Sequence, residues 1–203
     1  EALIPEQIRW FTETDISVAR DDTLLAMMKE SGCQQVLIGL ESPVAAGLEG
    51  LERRSNWKRG RLDSYIDDIR RIQDHGITVN GCFVLGLDNT DVSSFERIGR
   101  FIEESGLYEV HLTVLAPFPG TPLYERLEAE GRILRDGDWA SCTLFDVNFR
   151  PQNMSVAELE GGLRSLMKSV YSDEATAARR KRFFDRLRDR QRTTHTITEG
   201  DLS

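Results

Sequence analysis

The chain has few cysteines and no long hydrophobic run, and each shortage excludes a class of protein. Its three cysteines, Cys33, Cys82 and Cys142, are odd in number and far apart in the 203 residues, which excludes a disulfide framework and a closely spaced metal site. No apolar run approaches the roughly 20 residues of a membrane span, and residues 1–10 lack the features of a signal peptide. We therefore expect a reduced, cytoplasmic, globular protein with no membrane span and no metal ligands.

Positive charge is concentrated near the C-terminus. The net charge is -8, yet residues 179–192 contain eight basic residues against two acidic ones. Such a segment could bind nucleic acid or an acidic partner, but the acidic remainder of the chain would repel phosphate. The favoured interpretation is a solvated helix that lies against the acidic body, and nucleic-acid binding is not expected.

Apolar segments typical of strands alternate along the chain with helical patterns. The strand-like segments are residues 9–12, 35–40, 77–87 and 109–116. Such alternation predicts an α/β fold with a parallel sheet: a partial (β/α) TIM-like barrel of about four βα units, followed by a helical C-terminal extension. Four units are about half of an eight-stranded barrel. We therefore expect either a part of a longer polypeptide or an open sheet whose edges favour self-association.

The last strand pattern leads directly into a helix. Residues 109–131 read EVHLTVLAPFPGTPLYERLEAEG, with Pro122 suited to a first helical turn and Gly131 to a left-handed C-terminal cap. Beyond this point the alternation stops. The expected divisions are residues 1–131 for the barrel part, 132–192 for a loop and helices, and 193–203 for a disordered tail.

Two carboxylates follow strand patterns. Glu13 comes after the first strand and Glu41 after the second, within VLIGLESP. The carboxyl ends of parallel strands meet at one edge of a sheet, where ligands of α/β proteins bind. Glycines within the strands, such as Gly39, are consistent with close approach of a ligand. Either acid could instead be a helix N-terminal residue, and the glycines could serve packing alone.

Three segments in order carry a resemblance to a known family. They are residues 10–43 (WFTETDISVARDDTLLAMMKESGCQQVLIGLESP), 71–88 (RIQDHGITVNGCFVLGLD) and 116–134 (APFPGTPLYERLEAEGRIL). Together they resemble the second half of the radical S-adenosylmethionine barrel. The resemblance is to the branch with an N-terminal cobalamin-binding domain, which includes Mg-protoporphyrin monomethyl ester oxidative cyclases and hopanoid-modifying proteins.

The resemblance implies cofactors and a set of contacts. In that family a [4Fe-4S] cluster held by C-x3-C-x2-C chelates S-adenosylmethionine and cleaves it to a 5'-deoxyadenosyl radical. Carried onto matching positions, the acids would contact the ribose or amino group, a basic residue would pair with the cofactor carboxylate, and backbone would flank the adenine. The implied cofactor-binding residues are Glu13, Glu41, Ser42, Arg53, Cys82, Phe83, Leu115, Ala116 and Pro117, with Arg54 and Lys58 as alternatives to Arg53.

The chain departs from the family in its cysteines. No C-x3-C-x2-C is present, so we expect that this chain alone binds no cluster and is inactive. The functional hypothesis is a fragment of a radical S-adenosylmethionine oxidoreductase, cyclase or methyltransferase that acts on a small molecule. Its implied partners are the missing N-terminal barrel half and cobalamin domain of the same polypeptide. Two alternatives are a TIM-like lyase or hydrolase that uses Glu13 and Glu41, and a non-catalytic interaction module with a basic C-terminal helix.

Overall fold

A computed structural model describes the backbone of residues 1–49 and 58–200, and the side chains of these residues up to 190 together with Arg192. In this part of the chain the strands are β1 (Trp10–Thr14), β2 (Cys33–Glu41), β3 (Thr78–Leu85) and β4 (Glu109–Val114). The α-helices are α1 (Asp22–Glu30), α2 (Ala45–Leu48), α3 (Tyr65–Asp74), α4 (Ser93–Ser105), α5 (Pro122–Ala129), α6 (Val156–Val170) and α7 (Asp173–Gly200).

The four described strands form one parallel sheet in the order β1-β2-β3-β4. Gly39 of β2 lies opposite Cys82 of β3, which in turn lies opposite His111 of β4. Adjacent parallel strands joined in sequence by helices are the repeat from which (β/α) barrels are built. The predicted α/β class, with its four βα units and helical C-terminal extension, is confirmed.

The two faces of the sheet differ in burial. Residues of β2 and β3 alternate between buried and half-buried positions, so that one face packs under the helices and the other does not. Phe83 on the covered face stacks edge-on against Phe101 of α4, with ring centroids 5.9 Å apart. We call the other face the open face; its side chains in β1, β2 and β3 are those of Phe11, Glu13, Gln35, Leu37, Glu41, Thr78, Asn80, Cys82 and Val84.

Helix starts follow local capping chemistry, with one exception to the sequence pattern. Thr121 caps α5 by accepting a hydrogen bond from the N–H of Tyr124, and Pro122 occupies the first turn as predicted. Ser93 and Glu96 match a capping box, but the box does not form at α4. Instead, the carboxylate of Asp91 accepts the N–H of Ser93 at 2.9 Å, because it lies two residues earlier and reaches the helix start.

The C-terminal extension packs on the sheet through a loop and two helices. Phe149 is fully buried, and Ile133 pairs with it in an antiparallel bridge. A capping box of Ser155 and Glu158 starts α6. α7 continues to Gly200, although the sequence suggested an end near residue 192. The domain boundaries and the disorder of the last residues stay predictions.

No helix in the described part of the chain is both long and apolar enough to cross a membrane.

Candidate functional site

Glu41 is the last residue of β2 and has an unusual backbone. Its φ is 61°, and the pairing of β2 with β3 shifts register between Gly39 and Glu41. A left-handed conformation is uncommon for a residue other than glycine and is often found at functional sites. The bulge folds the Glu41 side chain back over Gly39, where an added Cβ would lie 2.6 Å from Glu41 Oε1. Gly39 therefore gives the carboxylate its place on the open face.

The carboxylate of Glu41 has a basic partner. Lys58 Nζ lies 2.8 Å from Glu41 Oε1, and about a quarter of each side chain is exposed. Arg53 and Arg54 lie outside the described residues. Lys58 is thus the member of the predicted basic set that the structure brings to the site.

Glu13 lies within β1, whereas the sequence predicted that the strand ends before it. Its side chain is exposed on the open face, opposite Leu37 of β2. The longer strand has a simple cause: Glu13 and Thr14 continue the ladder with Leu37 and Ile38. Glu13 and Glu41 therefore come from neighbouring strands on one face.

Both carboxylates affect the pKa of the Cys82 thiol. Burial, followed by the negative charges of Glu41 and Glu13, raises the pKa of Cys82 to about 11. A thiol with this pKa is protonated at neutral pH, so it is a poor nucleophile and a poor metal ligand. The strand register agrees with this, since Glu41 folds over Gly39, the residue opposite Cys82, and Glu13 lies on the next strand opposite Leu37.

A further polar atom lies on the same strand. Asn80 Oδ1 is buried and has no hydrogen-bond partner in the described part of the chain. Buried acceptors are normally satisfied, so this atom is available to a donor from a ligand or from another segment. It stands two residues before Cys82, on the same face.

Ser42 and Phe83 have other local contacts. The hydroxyl of Ser42 is buried and accepts the N–H of Val44 at 3.0 Å in the turn after β2. The side chain of Phe83 belongs to the covered face, so only its backbone can reach the open face. Cofactor contacts for both residues stay predictions.

The segment after β4 forms one wall of a cavity of about 730 Å³. Leu115 continues the ladder, with its N–H bonded to the carbonyl of Leu85 at 2.8 Å. The cavity is lined by Leu115, Leu87, Leu123 and Arg126, among others. Leu115 is therefore both a predicted cofactor-binding residue and part of the cavity lining. Ala116 and Pro117 follow it, and Pro117 is buried.

An acidic residue at the cavity wall is held by two arginines. Asp88, just beyond β3, contacts Arg126 at 2.6 Å and Arg132 at 2.8 Å. Burial would raise the pKa of Asp88, but the hydrogen bonds from Arg132 and Arg126 outweigh it and hold the pKa below its usual value. The sequence analysis missed this cluster. The available signal was the acid directly after a predicted strand, as for Glu41.

The described residues contain no group of three or more histidine, cysteine or acidic side chains that could hold a metal ion. Cys33 is fully buried, and burial raises the pKa of its thiol. The donor set at this edge of the sheet, carboxylates beside an ammonium, instead suits an organic ligand with hydroxyl, amino and carboxylate groups.

Comparison with known proteins gives several similar curated relatives, including the following three. Bacteriochlorophyllide d C-12(1)-methyltransferase of Chlorobaculum tepidum is 26% identical over 172 residues, which are 85% of this chain and 36% of the relative. Hopanoid C-2 methylase of Rhodopseudomonas palustris is 28% identical over 130 residues, 64% of this chain and 24% of the relative. Anaerobic magnesium-protoporphyrin IX monomethyl ester cyclase of Cereibacter sphaeroides is 20% identical over 173 residues, 85% and 27% of the two chains.

Two solved structures share the fold. A radical S-adenosylmethionine methyltransferase, TsrM of Kitasatospora setae with cobalamin and a [4Fe-4S] cluster bound, has a TM-score of 0.52 and 12% identity over 85% of this chain and 34% of its own. The resemblance to the C-terminal part of the radical S-adenosylmethionine barrel is confirmed. Elp3 of Methanocaldococcus infernus has a TM-score of 0.56 and 17% identity over 81% of this chain and 33% of its own.

Residues 121–202 also match a domain of unknown function, DUF4070. The match begins at the N-cap of α5 and includes the whole C-terminal extension. The chain spans between 24% and 36% of the length of the three curated relatives, so it corresponds to a minor part of each.

Proposed function

We propose that this chain forms the C-terminal part of a radical S-adenosylmethionine methyltransferase and contributes one wall of its cofactor and substrate site. The observation that carries the proposal is the geometry of the open face: Glu41 folds over Gly39, which lies opposite Cys82, and Glu13 stands on the neighbouring strand opposite Leu37. The names of the methyltransferase and methylase relatives support methyl transfer as the reaction class. The cyclase relative, which aligns with 85% of this chain, supports cyclisation as a second candidate.

In this proposal the open face binds S-adenosylmethionine, which when bound supplies the reactive group of the reaction. The Glu41 carboxylate would accept hydrogen bonds from the cofactor's amino group or ribose hydroxyls, and Glu13 would add negative charge beside it. Lys58, held at 2.8 Å from Glu41, is placed to pair with a carboxylate. Asn80 Oδ1, buried without a partner among the described residues, is a further acceptor on this face.

A cluster does not fit the residues present. The three cysteines lie apart in sequence, and no metal-binding group exists among the described side chains. We infer that cluster ligands and any cobalamin domain belong to further sequence of a parent polypeptide, which the greater length of the relatives supports. The cytoplasmic location stays a prediction.

The substrate is proposed to occupy the cavity of about 730 Å³ at the carboxyl ends of β3 and β4. Three leucines and several polar and charged side chains line it, which suits a molecule with both apolar and polar groups, and Leu115 is itself one of the predicted cofactor residues. The two arginines at its wall are paired with Asp88, so we assign them to the structure of the wall and not to substrate binding.

The alternatives have less support. A lyase or hydrolase that uses Glu13 and Glu41 as acid and base would need both carboxylates for proton transfer, but Glu41 is paired with Lys58. A basic interaction helix would need an available positive face. Arg186 and Arg190 of α7 both contact Asp74, and Arg180 contacts Glu109.

The test is the affinity of the reconstituted parent polypeptide for S-adenosylmethionine, measured by calorimetry for Glu41→Gln. Loss of a charge-assisted contact is expected to weaken binding about 10- to 100-fold. Glu30→Gln, at the exposed end of α1 before β2 begins, is the matched control and is expected to bind normally. Unchanged affinity in Glu41→Gln would refute the assignment of Glu41.

A further inference from the structure

The outer edge of β4 is where the sheet would continue if another strand followed. Main-chain groups of Val110, Leu112 and Val114 bond to partners outside the sheet, whereas the N–H of the next residue, Leu115, bonds to the carbonyl of Leu85 at the end of β3. Such an edge offers unpaired N–H and C=O groups as a template for strand addition. The main-chain partners of these groups therefore decide whether the sheet can grow.

A tyrosine hydroxyl occupies this edge. Tyr171 Oη accepts the N–H of Leu112 at 3.0 Å and donates to the carbonyl of Val110 at 3.2 Å. A neighbouring parallel strand would satisfy the same kinds of group with its own carbonyl and N–H. One phenol, as both donor and acceptor, thus takes the place of one residue of a neighbouring strand.

A second main-chain hydrogen bond occupies the outer edge of β4 further along the strand. The N–H of Val114 donates to the carbonyl of Leu144 at 2.8 Å. At the start of the strand, Arg180 of α7 contacts the carboxylate of Glu109 at 3.1 Å. The partners at all three points belong to the extension after residue 131.

Tyr171 is held in place by its own surroundings. Its N–H bonds to the last turn of α6, where it is the C-cap residue. The preceding carbonyl, that of Val170, accepts a hydrogen bond of 2.7 Å from the buried guanidinium of Arg179. The phenol therefore projects from a fixed helix end, since α6 and α7 are joined at this point.

The opposite edge is different. β1 has no neighbouring strand on its outer side in the described sheet, and Phe11 on this strand is 74% exposed. An edge strand with no neighbour offers its outer N–H and C=O groups to a further strand.

We propose that the extension, for which the matching family has no known role, ends the sheet at β4. The Tyr171 hydroxyl takes the place of the next strand, so further strands can add only beside β1. This inference does not depend on the cofactor assignment, because it rests on main-chain contacts at the other edge.

The test compares Tyr171→Phe with the matched variant Tyr124→Phe in the 203-residue chain. Tyr124 also donates its hydroxyl to one partner, Asp136, but lies on α5 away from the β4 edge. Amide hydrogen exchange is measured at Leu112 and, as an internal reference, at Val84 inside β3. In Tyr171→Phe we expect exchange at Leu112 to accelerate about tenfold, with Val84 unchanged, as for the loss of one hydrogen bond.

Sedimentation velocity measures the consequence for assembly. A sheet with one open edge can pair only into dimers, whereas two open edges allow larger assemblies. Because Leu144 and Arg180 still cover the edge of β4 in Tyr171→Phe, the unmodified chain, Tyr171→Phe and Tyr124→Phe are all expected to form no species larger than a dimer. Unchanged exchange at Leu112, an equal rise at Val84, or species larger than the dimer in the unmodified chain would each overturn the proposal.

Discussion

The carboxylate of Glu41 lies where a side chain of Gly39 would be: an added Cβ would be 2.6 Å from Glu41 Oε1. Gly39→Ala should therefore displace the carboxylate. The displaced atom is the end of a flexible side chain, so the free energy of unfolding should change by less than about 1 kcal/mol. Cofactor affinity of the parent polypeptide should nevertheless fall.

Calorimetry and thermal unfolding on the same samples separate the two effects. Gly161→Ala is the control, since its added methyl group would meet nothing within 4 Å. Normal cofactor affinity in Gly39→Ala would show that the position of Glu41 is unimportant for binding.

The reactivity of Cys82 reports on the convergence of the acids. In a background with Cys33→Ser and Cys142→Ser, Glu41→Gln should lower the pKa of Cys82, because a carboxylate that opposes thiolate formation is removed. At a pH of about 8 to 9, which is below the pKa of the thiol, the rate of alkylation by iodoacetamide should therefore rise. Glu30→Gln in the same background should leave the rate as it was. An unchanged rate in Glu41→Gln would place the carboxylate away from the thiol.

The contact of α7 with the body predicts a dependence of stability on pH. Asp74 is 12% exposed and contacts Arg186 and Arg190. Burial would raise its pKa, but the two arginines lower it overall. A carboxyl whose pKa is lower in the folded than in the unfolded state stabilises the protein above the unfolded value of about 4, and this contribution is lost as the pH falls below it.

Asp74→Asn should therefore lower the melting temperature at pH 7 and flatten its dependence on pH between about 4 and 2. Asp67→Asn is a suitable control, because Asp67 lies on the same helix with an 83% exposed side chain. If both variants lose stability equally at pH 7, the contact with α7 contributes nothing specific.

Two adjacent glycines of α6 should respond in opposite directions to alanine. At exposed Gly161 the methyl group meets nothing within 4 Å, so the gain in helix propensity should stabilise the protein by about 0.5 to 1 kcal/mol. At Gly162 a Cβ would lie 2.2 Å from the ring of Phe95 on α4, and the protein should lose stability. Denaturant unfolding of both variants tests the packing of α6 on α4; a stabilised Gly162→Ala would contradict it.

The order of strands and helices was predictable, because the apolar periodicity and the glycines after helices are local signals. Thr121 and Pro122 start α5 for reasons that residues 121–124 contain. The start of α4 was not predictable, since Asp91 competes with the capping box that Ser93 and Glu96 suggest. The capping box and Asp91 compete for the start of the helix, and Asp91 prevails because its carboxylate lies within hydrogen-bonding distance of the Ser93 N–H.

The candidate site was predictable only in part. Glu13 and Glu41 could be placed at one edge because parallel strands align their ends. The approach of Lys58 to Glu41 joins residues 17 positions apart, and the sequence between them has no strong pattern. The two arginines of Asp88 come from the next helix and from the loop after it. Such pairs depend on tertiary packing, which periodicity does not encode.

The central claim is that the open face of this sheet binds S-adenosylmethionine. The most direct measurement is an experimental structure of the reconstituted parent polypeptide with the cofactor bound. We expect a cofactor amino or hydroxyl group within hydrogen-bonding distance, about 3 Å, of the Glu41 carboxylate on the open face. A cofactor bound elsewhere, with Glu41 still paired only with Lys58, would contradict it.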